Sequence, residues 1–578
     1  MDRFLAGRFS LPVIVLVGVG LTLPSLGVGW VIDDLSQRLR MLGSEKLPEV
    51  PRDPSAIFEF ASGEPADTAR LLDRGLWPWW TCPDIKASFW RPLSVLTHQL
   101  DYFLWPDNPL LMHAQSIAWY GLLVFLAALL FRRFLGATLA AGLAGLLYAI
   151  DDAHGMPVGF LSNRNAIVAT VFGVAAILAH DRWRRGNSMR HGVAAYVLFA
   201  LSLLSAEAGV GALGYIIAHA IALDRGPFVR RICILWPYFL ILAAWRAVWH
   251  ASGAGINGVG FYVDPLAEPG RFIAETMIRG PILLLGQFAF PPSDLYLATC
   301  DLGWESYHSL FAFAVVIAVG IAFRPLLVRN RVARFWGLGT LLSLPPICAT
   351  FSSDRLLFFT GLGAFGLIAQ WITESRVKPS GRGIAMALNV VHLGVAPIGL
   401  AARSAMPVGP PSFVNTFLVP SSDEPEVERQ TLVIVSGPIL FSGTYALILP
   451  ATQDQPVPRA VRYLSTVGPP AWSPAAMEIA RPDDRTLLIR PDGGFLASAL
   501  DRLARRDGIP FSVGDSVRLS DMRAEVGSVT IDGRPWEVAF VFDRSLDVQA
   551  LRWLIWNGSE YTPFVPPGIG ERTSHRSK

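Results

Sequence analysis

Charge is what this 578-residue chain has least of: only 16% of its residues are Asp, Glu, Lys or Arg, against 52% hydrophobic. Soluble globular chains carry about 25% charged residues, so a chain this poor in charge is built for lipid as its main solvent. A formal net charge of +3 is too small to point to nucleic acid. Lysine is scarce, and nearly all basic residues are arginine. This reads as the composition bias of a GC-rich, bacterial genome rather than as a sign of function. The four cysteines, Cys82, Cys233, Cys300 and Cys348, include no Cys-x-x-Cys pair, which excludes zinc ribbons and thioredoxin-like chemistry. Cys82 and Cys300 both fall in segments expected outside the cytoplasm, where one disulfide or two free thiols are equally compatible with the sequence. No internal repeat of the 34-residue type is present.

What the chain has instead is a series of apolar runs. A membrane helix needs about 20 largely apolar residues, and candidate spans fall at 11–31, 110–131, 136–151, 165–181, 191–205, 208–224, 231–250, 308–324, 333–350, 355–373 and 383–402, about eleven crossings. The first has no small-residue cleavage site after it and reads as an uncleaved helix. The stretch 272–290 is interrupted by Arg279, Gly280 and Pro281 and reads as re-entrant or interfacial. With the N-terminus cytoplasmic, every inner loop is basic: Arg132 and Arg133; Arg182, Arg184, Arg185 and Arg190; Arg225, Arg230 and Arg231; Arg324, Arg329, Arg331 and Arg334; Arg376, Lys378 and Arg382. The short outer loops carry Asp33, Asp34, Asp151, Asp152, Glu207 and Asp354, which satisfies the positive-inside rule throughout.

Two outer loops are long, 32–109 and 251–307. The first ends in an aromatic, amphipathic stretch from Phe89 to Trp105 suited to the membrane surface. A Pro-rich linker (Pro407, Pro410, Pro411, Pro420) then leads into a tail, 404–578, with β-type runs at Thr431–Ser436, Ala446–Leu449, Thr486–Ile489 and Glu537–Phe542, and a hairpin turn at Ile531-Asp532-Gly533-Arg534. The expected architecture is an α-helical polytopic membrane domain, 1–403, followed by a β-rich extracytoplasmic domain, 404–578.

Polar groups collect at the outer helix ends rather than mid-span, unlike the interrupted mid-membrane helices of a transporter. Asp33-Asp34 follow the first span. Adjacent carboxylates suit general-base work, because like-charge repulsion raises one pKa while the neighbour positions a partner; such a pair can equally be a solvated helix end. Further groups are Trp90-Arg91-Pro92-Leu93; His113; Asp151-Asp152-Ala153-His154 followed by Asn163-Arg164-Asn165; Ser205-Ala206-Glu207; and Ser353-Asp354-Arg355-Leu356. Guanidinium binds phosphate in a fixed fork, which makes Arg164 and Arg355 candidates for a leaving phosphate; Arg355 could instead pair with Asp354. A lone His near a helix end is more often a packing residue than a ligand. Glu207 can simply mark a helix end, and Arg91 can anchor to lipid headgroups. Trp536, Trp553 and Trp556 in the tail fit a buried core better than a carbohydrate surface.

This ordered set resembles the GT-C superfamily of polyprenyl-phosphate-sugar-dependent glycosyltransferases, and within it the branch of transmembrane and tetratricopeptide-repeat O-mannosyltransferases, over roughly residues 10–400. The resemblance implies that Asp33 is the catalytic base, with Asp34 its acidic neighbour. It implies that Arg91, His113, His154, Arg164, Glu207, Asp354 and Arg355 bind substrate. The donor would be a polyprenyl-phosphate-linked sugar in the membrane lipid, the acceptor a hydroxyl of lipid, glycan or protein. No cofactor or divalent metal is expected, and the enzyme would sit in a bacterial inner membrane. Met156, Asn165, Ala206, Ser116 and Tyr120 depart from the branch's pattern, and the tail stands where the repeats would be. These departures leave a non-catalytic scaffold presenting the tail, or less readily a transporter, as the rival readings. The enzyme reading expects Asp33, Arg164 and Arg355 to line one outward-facing cavity with a lateral opening to lipid, and it weakens if they point to separate helix faces.

Overall fold

The computed structural model describes residues 2–7, 9–186, 188–375, 382–409, 419, 425–467 and 476–576. Arg376 and Lys378 of the last inner loop, and linker residues Pro410, Pro411 and Pro420, lie outside the described residues.

Among the described residues six helical stretches are long and apolar enough, by length and composition, to cross a membrane: Ser10–Gly27, Pro109–Leu135, Leu161–Gly186, Phe228–Ala251, Glu305–Arg329 and Gly383–Ala405. Shorter apolar helices occupy Met189–Ser205 and Glu207–Ala222. Helices at Leu139–Ala149, Arg331–Leu342 and Phe358–Ser375 fill the remaining expected places. These are short because they are sheathed by protein: Ala144, Leu147, Trp336 and Phe365 are almost fully buried in one helical core. The stretch expected to be re-entrant or interfacial is a single helix, Pro269–Phe288, with Pro281 inside it. Its C-terminal half, from Arg279, is largely buried, and Arg279 is neutralised by Glu275 at 2.9 Å.

Charged groups collect toward opposite ends of the helices. Arg133 and Arg185 both reach Asp181, at 2.5 and 2.9 Å, and Arg184 reaches Asp224 at 2.8 Å, joining three helices at the end expected to be cytoplasmic. The candidate site residues gather at the other end. Helix Pro92–Leu104 exposes Leu96, Leu100, Phe103 and Leu104, an i, i+4 stripe suited to lying on a bilayer.

The two outer loops are tied together by a three-stranded antiparallel sheet of Glu59–Ser62, Lys86–Ser88 and Gly255–Asn257. The tail holds two further sheets. One has six antiparallel strands, including the hairpin Met522–Val529 and Pro535–Phe542 across the Asp532-Gly533 turn. The other has four strands, of which Leu551–Trp556, Thr431–Ile434 and Ala460–Tyr463 run parallel. Parallel neighbours need a crossover connection, and here it is helix Ser442–Thr452. The run Ala446–Leu449, expected as a strand, therefore lies in a helix. Four consecutive apolar residues carry no period that separates the two states, and this run is buried on all sides except at Leu449.

The tail and the first outer loop share one hydrophobic core. Leu35, Leu39, Leu72, Leu76, Trp79 and Trp80 of the loop pack among the tail's buried side chains. Trp79 donates from Nε1 to the Leu464 carbonyl at 3.0 Å, and the buried Arg462 guanidinium binds Asp521 at 2.6 Å and the Asp73 carbonyl at 2.7 Å. Trp553 and Trp556 belong to this core. All four cysteines are free thiols.

Candidate active site

The acidic pair opens helix Asp33–Leu42, where carboxylates favour the positive end of the helix dipole. The backbone before it is strained. Ile32 has φ 42°, a left-handed conformation rarely adopted by a β-branched residue and found where surrounding structure imposes it. As successive positions of one helix, the two carboxylates point in different directions. Asp34 is buried and fully tied down: Oδ1 accepts from the Ser162 backbone at 2.8 Å and hydroxyl at 2.6 Å, and Oδ2 accepts from the Val31 N–H at 3.1 Å. Asp33 turns the other way into a cavity of about 380 Å³, and its carboxylate has no hydrogen-bond partner among the described residues. Burial pushes the Asp33 carboxyl up to about 6, with the Arg355 charge pulling the other way. Burial likewise pushes Asp34 up to about 7, against its three hydrogen bonds. Both values follow from removing a charge from water.

Arg355 lines the same cavity. Its Nη1 donates to Asn163 Oδ1 at 3.0 Å and its guanidinium lies over the Phe351 ring at 5.0 Å. Ser162 and Asn163 are consecutive, so one short turn, Leu161–Asn163, holds Asp34 on one side and Arg355 on the other. Asp354, next in sequence to Arg355, points away. It accepts from Ser293 N–H and hydroxyl at 2.8 and 2.6 Å and pairs with Arg403 at 2.9 Å. Burial and the neighbouring Asp294 raise its pKa. Arg403 also reaches Asp294 at 2.5 Å and Asp152 at 3.5 Å, so one guanidinium knits three outer segments beneath the site. No local motif marks Arg403 in the sequence, because it sits near the end of the last apolar helix and its partners are far along the chain.

Arg164 does not join Asp33 and Arg355. It is wholly buried and spends its fork on Asp101 at 2.5 Å, Ser116 Oγ at 2.8 Å, the Met112 carbonyl at 2.8 Å and Gln115. The expectation that all three line one cavity is corrected on this point: Asp101, on the surface helix, is an internal counter-ion that leaves Arg164 no free face. Ser116, one of the departures from the family pattern, is part of that cage. Arg91 and Glu207 also satisfy one another, at 2.8 Å, with the Trp249 indole donating to Glu207 at 3.2 Å. His113 meets the Gly29 carbonyl at 2.8 Å through Nε2, bracing the segment that leads to Asp33. His154 is buried, stacked on Phe358 with ring centroids 4.4 Å apart and within 3.3 Å of the Tyr120 hydroxyl; burial pushes its pKa down to about 3. Neither histidine reaches the cavity. Among the described residues no group of three or more His, Cys, Asp or Glu converges on a metal-sized point.

Comparison with known proteins finds similarity to protein O-mannosyl-transferases. The chain is 23% identical over 192 residues to protein O-mannosyl-transferase TMTC3 of Homo sapiens, covering 32% of this chain and 21% of that protein. It is 26% identical over 145 residues to protein O-mannosyl-transferase Tmtc1 of Drosophila melanogaster, covering 25% of this chain and 17% of that one. The chain thus spans about a fifth of the length of these relatives. No family model matches. Among solved structures, the oligosaccharyltransferase of Archaeoglobus fulgidus tethered with an acceptor peptide aligns with a TM-score of 0.36 at 13% identity, over 79% of this chain and 64% of that one. ArnT of Cupriavidus metallidurans aligns with a TM-score of 0.36 at 14% identity, over 79% and 85%. The relatives found by sequence carry the name of the branch that the motif order resembles.

Proposed function

We propose that this protein is a membrane glycosyltransferase that moves a sugar from a polyprenyl-phosphate carrier to a hydroxyl acceptor at the outer membrane face, with Asp33 as base. One observation carries the reading: a carboxylate with no hydrogen-bond partner among the described residues, Asp33, and a guanidinium, Arg355, share one cavity at the end of the helices expected to face outward. In the reaction the acceptor hydroxyl oxygen attacks the anomeric carbon. Its proton passes to the Asp33 carboxylate, and the bond from anomeric carbon to phosphate oxygen breaks with its electron pair on the phosphate. Arg355 is placed to stabilise that developing charge, the kind of fixed electrostatic help that supplies the largest share of many rate enhancements. A base with pKa near 6 is ionised at neutral pH yet basic enough to take a proton in the transition state. Asp34, clamped by Ser162, holds the kink that aims Asp33. The named relatives support mannose as the first sugar to test.

The test is a comparison of envelope glycoconjugates by mass spectrometry in host cells lacking the protein, complemented with wild type or with Asp33→Asn at matched membrane levels. A saccharide mass that vanishes in the deletion, returns with wild type and stays absent with the variant supports the proposal and names the sugar. Equal restoration by both would reject Asp33 as the base.

A further inference from the structure

The cavity above Asp33 has a wall that the glycosyltransferase reading leaves unused. Phe441, Thr444, Tyr445 and Ile448, on or beside helix Ser442–Thr452 of the tail, line it together with Leu500 and Leu503. That helix packs directly on helix Asp33–Leu42, and Thr444 Oγ1 fastens it to the first outer loop by donating to the Leu76 carbonyl at 2.8 Å. The tail is therefore no appended module hanging from a linker. It closes the chamber in which Asp33 sits.

Two features say which reactant this chamber holds. First, every lining residue comes from the outer loops, from the segment carrying Phe351 and Arg355, or from the tail; none belongs to the six long apolar stretches. The isoprenoid of a lipid-linked donor needs the bilayer, so the chamber serves the reactant arriving from the water side. Secondly, the charges on its wall are largely spent on one another. Arg40 faces Glu59 at 3.6 Å, Arg70 faces Asp67 at 3.2 Å, and Glu49 is matched by Arg74 at 3.4 Å. What remains toward the centre is apolar and aromatic, including Trp77, Phe89, Phe261 and Tyr262, with Asp33 and Arg355 at the membrane-side end.

We infer that the tail helix Ser442–Thr452 forms the acceptor wall of the active site, and that Phe441, with Leu503 beside it, contacts an acceptor whose hydroxyl is flanked by an apolar or planar body. Apolar and planar faces gain most from aromatic walls. The inference rests on the glycosyltransferase reading.

The experiment uses membranes containing the full chain, supplied with polyprenyl-phosphate mannose labelled in the sugar, and reads two products: label transferred to membrane and envelope acceptors, and free mannose released by water. Phe441→Ala and Leu503→Ala should lower transfer about tenfold while leaving release by water intact. Ile531→Ser, at the tail's exposed hairpin turn, should change neither. Transfer at the wild-type level in both wall variants would overturn the inference. So would transfer and hydrolysis falling together with the amount of folded protein, because that is a structural role. Asp33→Asn separates the two claims: it should abolish both products, and if it does not, the glycosyltransferase reading fails whatever the wall variants do.

Discussion

Replacing Arg355 by Gln should do two separable things. Among the described residues, Arg355 is the charge that works against the burial of Asp33. An opposite charge within a few ångströms lowers a carboxylate pKa by about 1–3 units; Arg355 shares a solvent-accessible cavity with Asp33, so the low end applies. Its removal should move the acid limb of the rate profile upward by about one unit, from about 6. The sign is fixed. Losing a positive neighbour makes the carboxylate harder to ionise, so activity is lost at a higher pH on acidification. At pH 7 that shift costs only about twofold, because an acid of pKa near 7 is still about half ionised. The plateau above pH 8 should fall much further, about 10²- to 10³-fold, the usual cost of deleting a fixed stabiliser of transition-state charge. Arg355→Lys keeps the charge and loses the fork, so its limb should stay near 6 while its plateau falls less. The assay is initial-rate transfer in membranes from pH 5 to 9. A limb that stays put in Arg355→Gln, or moves down, would show that Arg355 does not act on Asp33, and an unchanged plateau would remove its role at the phosphate.

Arg164→Met leaves Asp101 buried without its partner and should destabilise the protein by about 3–5 kcal/mol, whereas Arg164→Met with Asp101→Leu should recover much of that loss; thermal melting in detergent reads both. Arg403→Gln leaves Asp152, Asp294 and Asp354 facing one another and should lower the melting temperature more at pH 8 than at pH 5, where carboxyls raised by burial take up protons. Asp34 has a folded-state pKa well above its ordinary value, so its contribution to stability is full below pH 4 and lost as pH rises through about 7. Asp34→Asn should accordingly flatten the fall in melting temperature between pH 5 and 8. Ser162→Ala removes a donor to the Asp34 carboxylate and should make that fall steeper.

Much of the site could be read from the chain because its chemistry is local. Asp33 and Asp34 follow an apolar run directly, and Arg355 sits at a helix start, so position alone flagged them. Pairing could not be read the same way. Arg91 with Glu207, and Arg164 with Asp101, join residues far apart in sequence, and a motif search sees three charged candidates, Arg91, Arg164 and Glu207, where the structure has two satisfied pairs. Arg403 and Tyr445 escaped because each reaches the site from an element defined only by its packing. The kink at Ile32 has no residue signature at all: a β-branched side chain argues against the conformation it adopts. In the tail, the turn at Asp532-Gly533 was legible from local turn chemistry. The crossover helix was not, since only the parallel pairing of its flanking strands demands it.

The most direct test of the central claim is a single-turnover measurement on purified protein with labelled polyprenyl-phosphate mannose, following release of polyprenyl phosphate as a function of pH for wild type and Asp33→Asn. The account predicts release in the wild type that falls away below about pH 6, and a variant slower by about 10²- to 10⁴-fold with no limb in that range. Release in Asp33→Asn at the wild-type rate, with the same limb, would contradict it.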